Sequence, residues 1–299
     1  MLFEYRQICC SEKEVEVMVK ILSDSTCDLS AELIEKYNIA ILPLHVVLGD
    51  RDYKDGVEIT ADEIYAWADA NNTTPKTAAV SPEEVMEVIR PLIEDGSEVV
   101  CFSLSESMSS TYSVIRMVID DLDGSDKIYC IDSKNLSTGI GLMVIEAAIM
   151  AANGKNAKEI VEYILNIRPM VRSSFVVDTL TYLHRGGRCS GVAAMAGSVL
   201  KLHPRIAVED GKMDAGKKYR GKLSKVVMDY VGDMESELLN AKPDRVFITH
   251  SGCEQEILDA VYEYLEQLHV FDEILIARAG SVISCHCGPG TLGVLFIAQ

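Results

Sequence analysis

Short apolar runs alternate with helix-like segments through the first half of the chain: VKILSD, then SAELIEKY, AILPLHVV, TADEIYAWADA, SPEEVMEVIRPLI, EVVCFSL, STYSVIRMVIDD, KIYCID and GLMVIEAAIMAA. This alternation predicts a parallel sheet with helices on its faces. Two helix starts are signed in the residues themselves. Thr60-Ala-Asp-Glu63 has the spacing of a capping box, and Ser81-Pro82-Glu83-Glu84 adds proline at the first helical position. A helix over 157–167 must end before Pro169, so residues 168–172 read as the passage to a second domain.

The pattern changes beyond that point. MVRSSFVVD, PRIAVE and KMDAGK are strand-like, with Asp210-Gly211 as a tight hairpin turn between the last two, and LSKVVMDYVGDMESELL reads as one long amphipathic helix. RVFITH, EQEILDAVYEYLEQL, EILIARA and TLGVLFIA then complete an α+β layer. The fold class expected is α/β in two domains: an N-terminal Rossmann-like α/β/α domain over 18–168 and a C-terminal α+β domain over 169–299. A length of 299 residues suits two domains, and two domains leave a cleft at their junction. Met18 opens the first apolar run, which makes residues 1–17 a possible upstream extension.

Composition adds compartment and charge. The nine cysteines are scattered and several sit inside apolar runs, as expected of a reducing compartment. The first residues carry acids where a signal peptide needs an apolar core, and no apolar stretch approaches the roughly 18 residues of a membrane span, so a cytoplasmic protein is expected. The net charge of −18 is uneven: residues 166–225 hold twelve Lys/Arg against four acids, a balance of +8 that leaves −26 for the rest. A basic field on an acidic protein suits an anionic surface or phosphate as partner and argues against general nucleic-acid binding; a solvated basic face fits it equally.

The usual catalytic and nucleotide motifs are missing. No GxxxxGK[ST] occurs, and Gly288-Pro-Gly290-Thr-Leu-Gly293 fits GxGxxG only literally, because six residues remain after Gly293. Cys285-His286-Cys287 has no accompanying CxxC or HExxH, and on an extended chain its three side chains diverge, so no metal is expected. No GxSxG surrounds the serines of SLSESMSSTYS, yet a Ser/His acyl hydrolase or small-carboxylate enzyme using Ser109 and His286 stays open as an alternative. Ser109-Ser110-Thr111-Tyr112 follows a strand and opens a helix. Such a turn presents hydroxyl and N–H donors to an anion, and simple capping by Ser109 is equally compatible with it.

Taken in order, SDSTCDLS, LPLHVV with YKDGVEI, PKTAAVSPEE, SLSESMSSTY, IDSKNLSTGIG, DTLTYLHRGGRCS, LHPRIAVEDGK, KYRGK and HCGPGTLG resemble the DegV family from about Val19 to Ala298. The resemblance implies a fatty-acid-binding subunit of a bacterial fatty acid kinase, a carrier in phospholipid metabolism rather than an enzyme in its own right. It implies one long-chain fatty acid, with no other cofactor, lying in a tunnel at the domain junction. The carboxylate is then held by Thr77, Ser109 and His286, with Ser110, Thr111, Gly288 and Gly290 supporting the turns around it. The chain departs from the family pattern where Thr-Ser-Gln-Pro becomes Thr77-Ala78-Ala79-Val80, losing two hydrogen-bonding side chains, and where Ser-Gly-Thr-Tyr becomes Ser109-Ser110-Thr111-Tyr112. The further partners implied are an ATP-binding kinase subunit and a transient anionic membrane surface, met through Arg185, Arg188 and Arg220.

Overall fold

The computed structural model describes residues 18–122, 125–189 and 202–299. The possible extension 1–17 lies outside them, as do Cys9, Cys10 and the basic residue Lys201. The first half runs β1 (Val19–Asp24), α1 (Ala31–Lys36), β2 (Ile39–Leu42), β3 (His45–Leu48), β4 (Arg51–Lys54), α2 (Ala61–Asn71), β5 (Lys76–Ala78), α3 (Pro82–Ile93), β6 (Glu98–Ser103), α4 (Thr111–Asp120), β7 (Ile128–Asp132), α5 (Thr138–Ala152) and α6 (Ala157–Ile167). Strands β2-β1-β6-β7 form a parallel sheet in that order. Buried on both faces, these strands need near-continuous apolar sequence, which is what VKIL and EVVCF supply. The Thr60 and Ser81 capping boxes are both present, with each N3 glutamate returning to the cap backbone.

AILPLHVV is not one strand of this sheet. Pro43, unable to donate to a ladder, divides it into β2 and β3, and β3 turns away to form a separate antiparallel sheet in the order β4-β3-β5. This small sheet carries Thr77.

The second half runs β8 (Val171–Val176), α7 (Thr181–Gly186), β9 (Leu202–Glu209), β10 (Lys212–Arg220), α8 (Leu223–Asp233), α9 (Glu235–Leu238), β11 (Ala241–Ser251), α10 (Gln255–Gln267), β12 (Glu273–Arg278), α11 (Ser281–Cys287) and β13 (Thr291–Ala298). Its six strands form a mixed sheet in the order β10-β9-β8-β13-β11-β12. The expected single helix over LSKVVMDYVGDMESELL is instead two, α8 and α9, divided at Met234, whose backbone sits at φ −95° and ψ 0°.

Helix α5 lies between the two large sheets, packing on β1 and β6 on one side and on β8 and β13 on the other. A helix with two apolar neighbours needs no polar face, and eleven of its fifteen residues are buried. Its one charged residue, Glu146, is buried against Arg245 at 2.5 Å and Lys242 at 2.6 Å, and with the Thr138–Thr249 hydroxyl contact ties α5 to the second half.

The segment holding Cys285-His286-Cys287 is helical, not extended. Helix α11 leaves the second half and packs on α2, β3, β5 and α7. Its side chains Val282 and Cys285 belong to the apolar core beneath the first sheet. The segment held no strong helix-former pattern, and its helical state comes from burial and from what holds its first turn.

Candidate functional site

The C-terminal ends of β1, β6 and β7 point toward the second half, the edge at which open parallel sheets bind ligands. A cavity of about 540 Å³ opens there. Its walls are largely apolar, with Leu104, Met108, Phe175, Leu183, Met213 and Leu295 contributed from both halves, and its size falls in the ordinary range of small-molecule sites.

Polar groups converge on part of this wall. Thr77 on β5, Ser109 before α4 and His286 at the end of α11 all line the same cavity. Thr77 Oγ1 lies 2.8 Å from His286 Nε2 although the residues are 209 apart in sequence. Ser109 Oγ lies 2.9 Å from Thr111 Oγ1 and accepts from the Thr111 backbone N–H at 3.2 Å; it precedes the N-cap, Ser110, and also reaches the cavity. Ser109 makes no hydrogen bond to Thr77 or His286. Ala78 and Ala79 also line the wall beside Thr77 and leave it apolar there.

The protonation state of His286 follows from its surroundings. Burial, with the Arg188 charge as a second cause, pushes the imidazole down to about 4, so it is neutral near pH 7 and carries one N–H. Its Nδ1 is buried without a hydrogen-bond partner among the described residues. A stranded N–H costs more than a stranded lone pair, which places the proton on Nε2, donating to Thr77 Oγ1. The Thr77 hydroxyl proton is then free to turn into the cavity.

The start of α11 is fixed by two buried acids that sequence reasoning did not single out, although both lie within SDSTCDLS and YKDGVEI. Asp28 accepts from Gly280 N at 2.9 Å and from the Ser137 hydroxyl, and Asp55 accepts from Ser281 N at 2.8 Å and from Ser25 Oγ at 2.8 Å. Burial pushes both carboxyls above their ordinary range despite these bonds. The other end of α11 is fixed by a turn. Gly288 has φ +76°, and a Cβ there would come 2.6 Å from the Tyr182 ring; Ser251 completes the turn, its hydroxyl donating to Gly288 O and its carbonyl accepting from Gly290 N at 2.9 Å. Gly288 and Gly290 shape this turn without lining the cavity, whereas Ser110 does line it.

The three arginines separate. All three are exposed, Arg185 on α7, Arg188 just after it and Arg220 at the end of β10, and of the three only Arg188 lines the cavity. It donates through Nε to Met108 O at 3.5 Å and through Nη1 to Gly186 O at 2.6 Å. Charge counting along the sequence treats all three alike; proximity to His286 distinguishes Arg188.

Comparison with known proteins adds the following. A family model described as an uncharacterised protein, DegV family, matches residues 18–299. A DegV domain-containing protein of Clostridium perfringens is 32% identical over 281 residues, covering 94% of this chain and 99% of its own. The structure of a DegV family protein from Thermus thermophilus, described for its fatty acid binding, superposes with a TM-score of 0.87 at 26% identity, covering 95% of this chain and 100% of that one. A stearic acid-binding protein from Eubacterium ventriosum superposes with a TM-score of 0.80 at 30% identity, covering 94% and 98%.

Proposed function

Because the chain belongs to the DegV family, we propose that it binds one long-chain fatty acid in the cavity between its halves, with the carboxylate at Thr77, Ser109 and His286. The observation that carries this reading is one cavity between the halves whose largely apolar wall also holds Thr77, Ser109 and His286. Burial of the tail, at ~0.8 kcal/mol per methylene, supplies most of the affinity. The hydroxyls and the imidazole fix the position of the head group. The protein is then a carrier that presents the carboxylate to a separate ATP-dependent kinase subunit for acyl-phosphate formation, acting in the cytoplasm and meeting the membrane or the kinase through Arg185, Arg220 and the neighbouring basic surface.

The hydrolase alternative is disfavoured by geometry. Ser109 Oγ is engaged by Thr111, His286 Nε2 by Thr77, and His286 Nδ1 has no acid to orient it. Among the described residues no helix is long and apolar enough to cross a membrane, so contact with lipid falls to the surface.

Denaturing extraction of the purified chain, followed by mass spectrometry of the organic phase, tests the first part; about one fatty acid per chain is expected. Absence of lipid, together with no binding of added palmitate or oleate, overturns it. Adding an ATP-dependent fatty acid kinase subunit tests the second part through acyl-phosphate formation that depends on this chain.

A further inference from the structure

A second cavity of about 750 Å³ opens where β8 and β9 part. Their ladder extends only from Val176↔Arg205 to Ser174↔Ala207, while β8 stays paired with β13 along its whole length. Residues 171–173 therefore face 208–210 across a gap. Arg168 and Arg172 reach it from the domain passage and Arg205 from β9.

The charges in this cleft are incompletely matched. Lys134 is taken by Asp210 at 2.5 Å and Lys217 by Asp233. Arg172 donates through Nη1 to Pro169 O at 2.9 Å and Arg205 lies 5.9 Å over the Tyr230 ring, but each keeps further donors. Glu237 stands 4.0 Å from Arg172 Nε and 3.9 Å from Arg205 Nη2, at the outer edge of ion pairing for both, and Arg168 donates to the Asp132 carbonyl. Glu209 is the one further acid on the wall beyond these. Arg205 Nε is buried and has no hydrogen-bond partner among the described residues. Arg172 and Arg205 share one face of the sheet, near enough to share Glu237, and two guanidinium groups with spare donors match the several oxygens of a phosphoryl group better than the two of a carboxylate.

We propose that this cleft binds a phosphoryl-bearing anion through Arg172 and Arg205, with Arg168 contributing to the same wall. The site is separate from the acyl cavity and does not depend on that reading. Its ligand is either a soluble phosphorylated compound or the head group of an anionic phospholipid.

Inorganic pyrophosphate, titrated calorimetrically into the full chain at low salt, is the first probe; vesicles of phosphatidic acid in phosphatidylcholine are the second. The Arg172→Gln/Arg205→Gln double variant should weaken binding at least tenfold while leaving oleate binding unchanged. Loss of pyrophosphate binding in the variant identifies a soluble ligand, and loss of vesicle binding alone identifies a head group. Binding of neither probe by the wild-type chain, or binding that the double variant leaves intact, overturns the proposal. Should the variant fail to fold, phenylglyoxal labelling of the wild-type chain decides: the probe that binds should shield Arg172 and Arg205, and equal labelling with and without it refutes the site.

Discussion

Gly186 offers a sharp test of whether the imidazole position sets the head-group end of the acyl cavity. Gly186 ends α7 and lies against α11, and a Cβ added there would come 2.5 Å from His286 Nδ1, where ordinary contact begins at 3.4 Å. Gly186→Ala must therefore move the ring by about 0.9 Å. The ring cannot easily yield, because it is buried and its Nε2 is held 2.8 Å from Thr77. A displacement of that size lengthens this bond beyond useful range unless the ring pivots about Thr77. Losing the orientation of one donor to a charged group should cost about 1–2 kcal/mol, or roughly 5–30-fold in oleate affinity. Gly187→Ala is the control: φ is +66° and nothing lies within 4 Å of the added carbon, so the cost is backbone strain without a clash. Equilibrium displacement of a fluorescent fatty acid by oleate at pH 7 reads the difference. Wild-type affinity in Gly186→Ala, in a protein of unchanged thermal stability, refutes the assignment of His286 to the head group.

Further outcomes follow from the buried charges. His286 is neutral when folded, with its imidazole at about 4, and takes a proton near 6.5 when unfolded, so stability is lost as pH falls through this window; between pH 7 and pH 5 wild type should lose about 2 kcal/mol more than His286→Gln by urea denaturation. Arg245→Met leaves buried Glu146 with Lys242 and the Tyr163 hydroxyl as its remaining partners and should cost about 2 kcal/mol, less than a fully stranded charge, and Lys242→Met added to it should cost more than Lys242→Met alone in a double-mutant cycle. Asp28→Asn keeps an acceptor for Gly280 N and removes a charge that burial disfavours, so its stability relative to wild type should be most favourable at high pH and should decline as pH falls and wild-type Asp28 takes up a proton; Asp28→Ala, which strands Gly280 N and Ser137, should lower both stability and oleate affinity at every pH.

The parallel sheet was legible because strands buried on two faces must be apolar throughout, and the capping boxes at Thr60 and Ser81 because their signals are local. What sequence hid is long-range. SVISCHC carries poor helix formers between glycines, and only contact with α2, β5 and α7 makes it helical. Asp28 and Asp55 look like ordinary turn acids until their partners at Gly280 and Ser281, more than 200 residues away, are seen. Arg188 resembles the other basic residues of its segment until its place beside His286 separates it. Pro43 was visible, but which sheet the chain would join after it was a question of packing.

The causal chain at the acyl cavity runs through α11. A helix of seven residues has little stability of its own, so its position must be imposed from both ends. Asp28 and Asp55, both from the first half, grip its opening N–H groups, and the Gly288 turn against Tyr182 fixes its close. This holds His286 against Thr77 and makes the two halves share one wall. The same burial that fixes the ring removes its charge, which suits a donor meant to orient a hydroxyl toward an anion. A charged imidazole at that place would form an ion pair with a carboxylate, tightening the resting complex and opposing transfer of the head group to a partner. In the function proposed above, a neutral one would position the carboxylate and leave the apolar wall to supply the affinity, a division of labour that a carrier needs and a hydrolase does not.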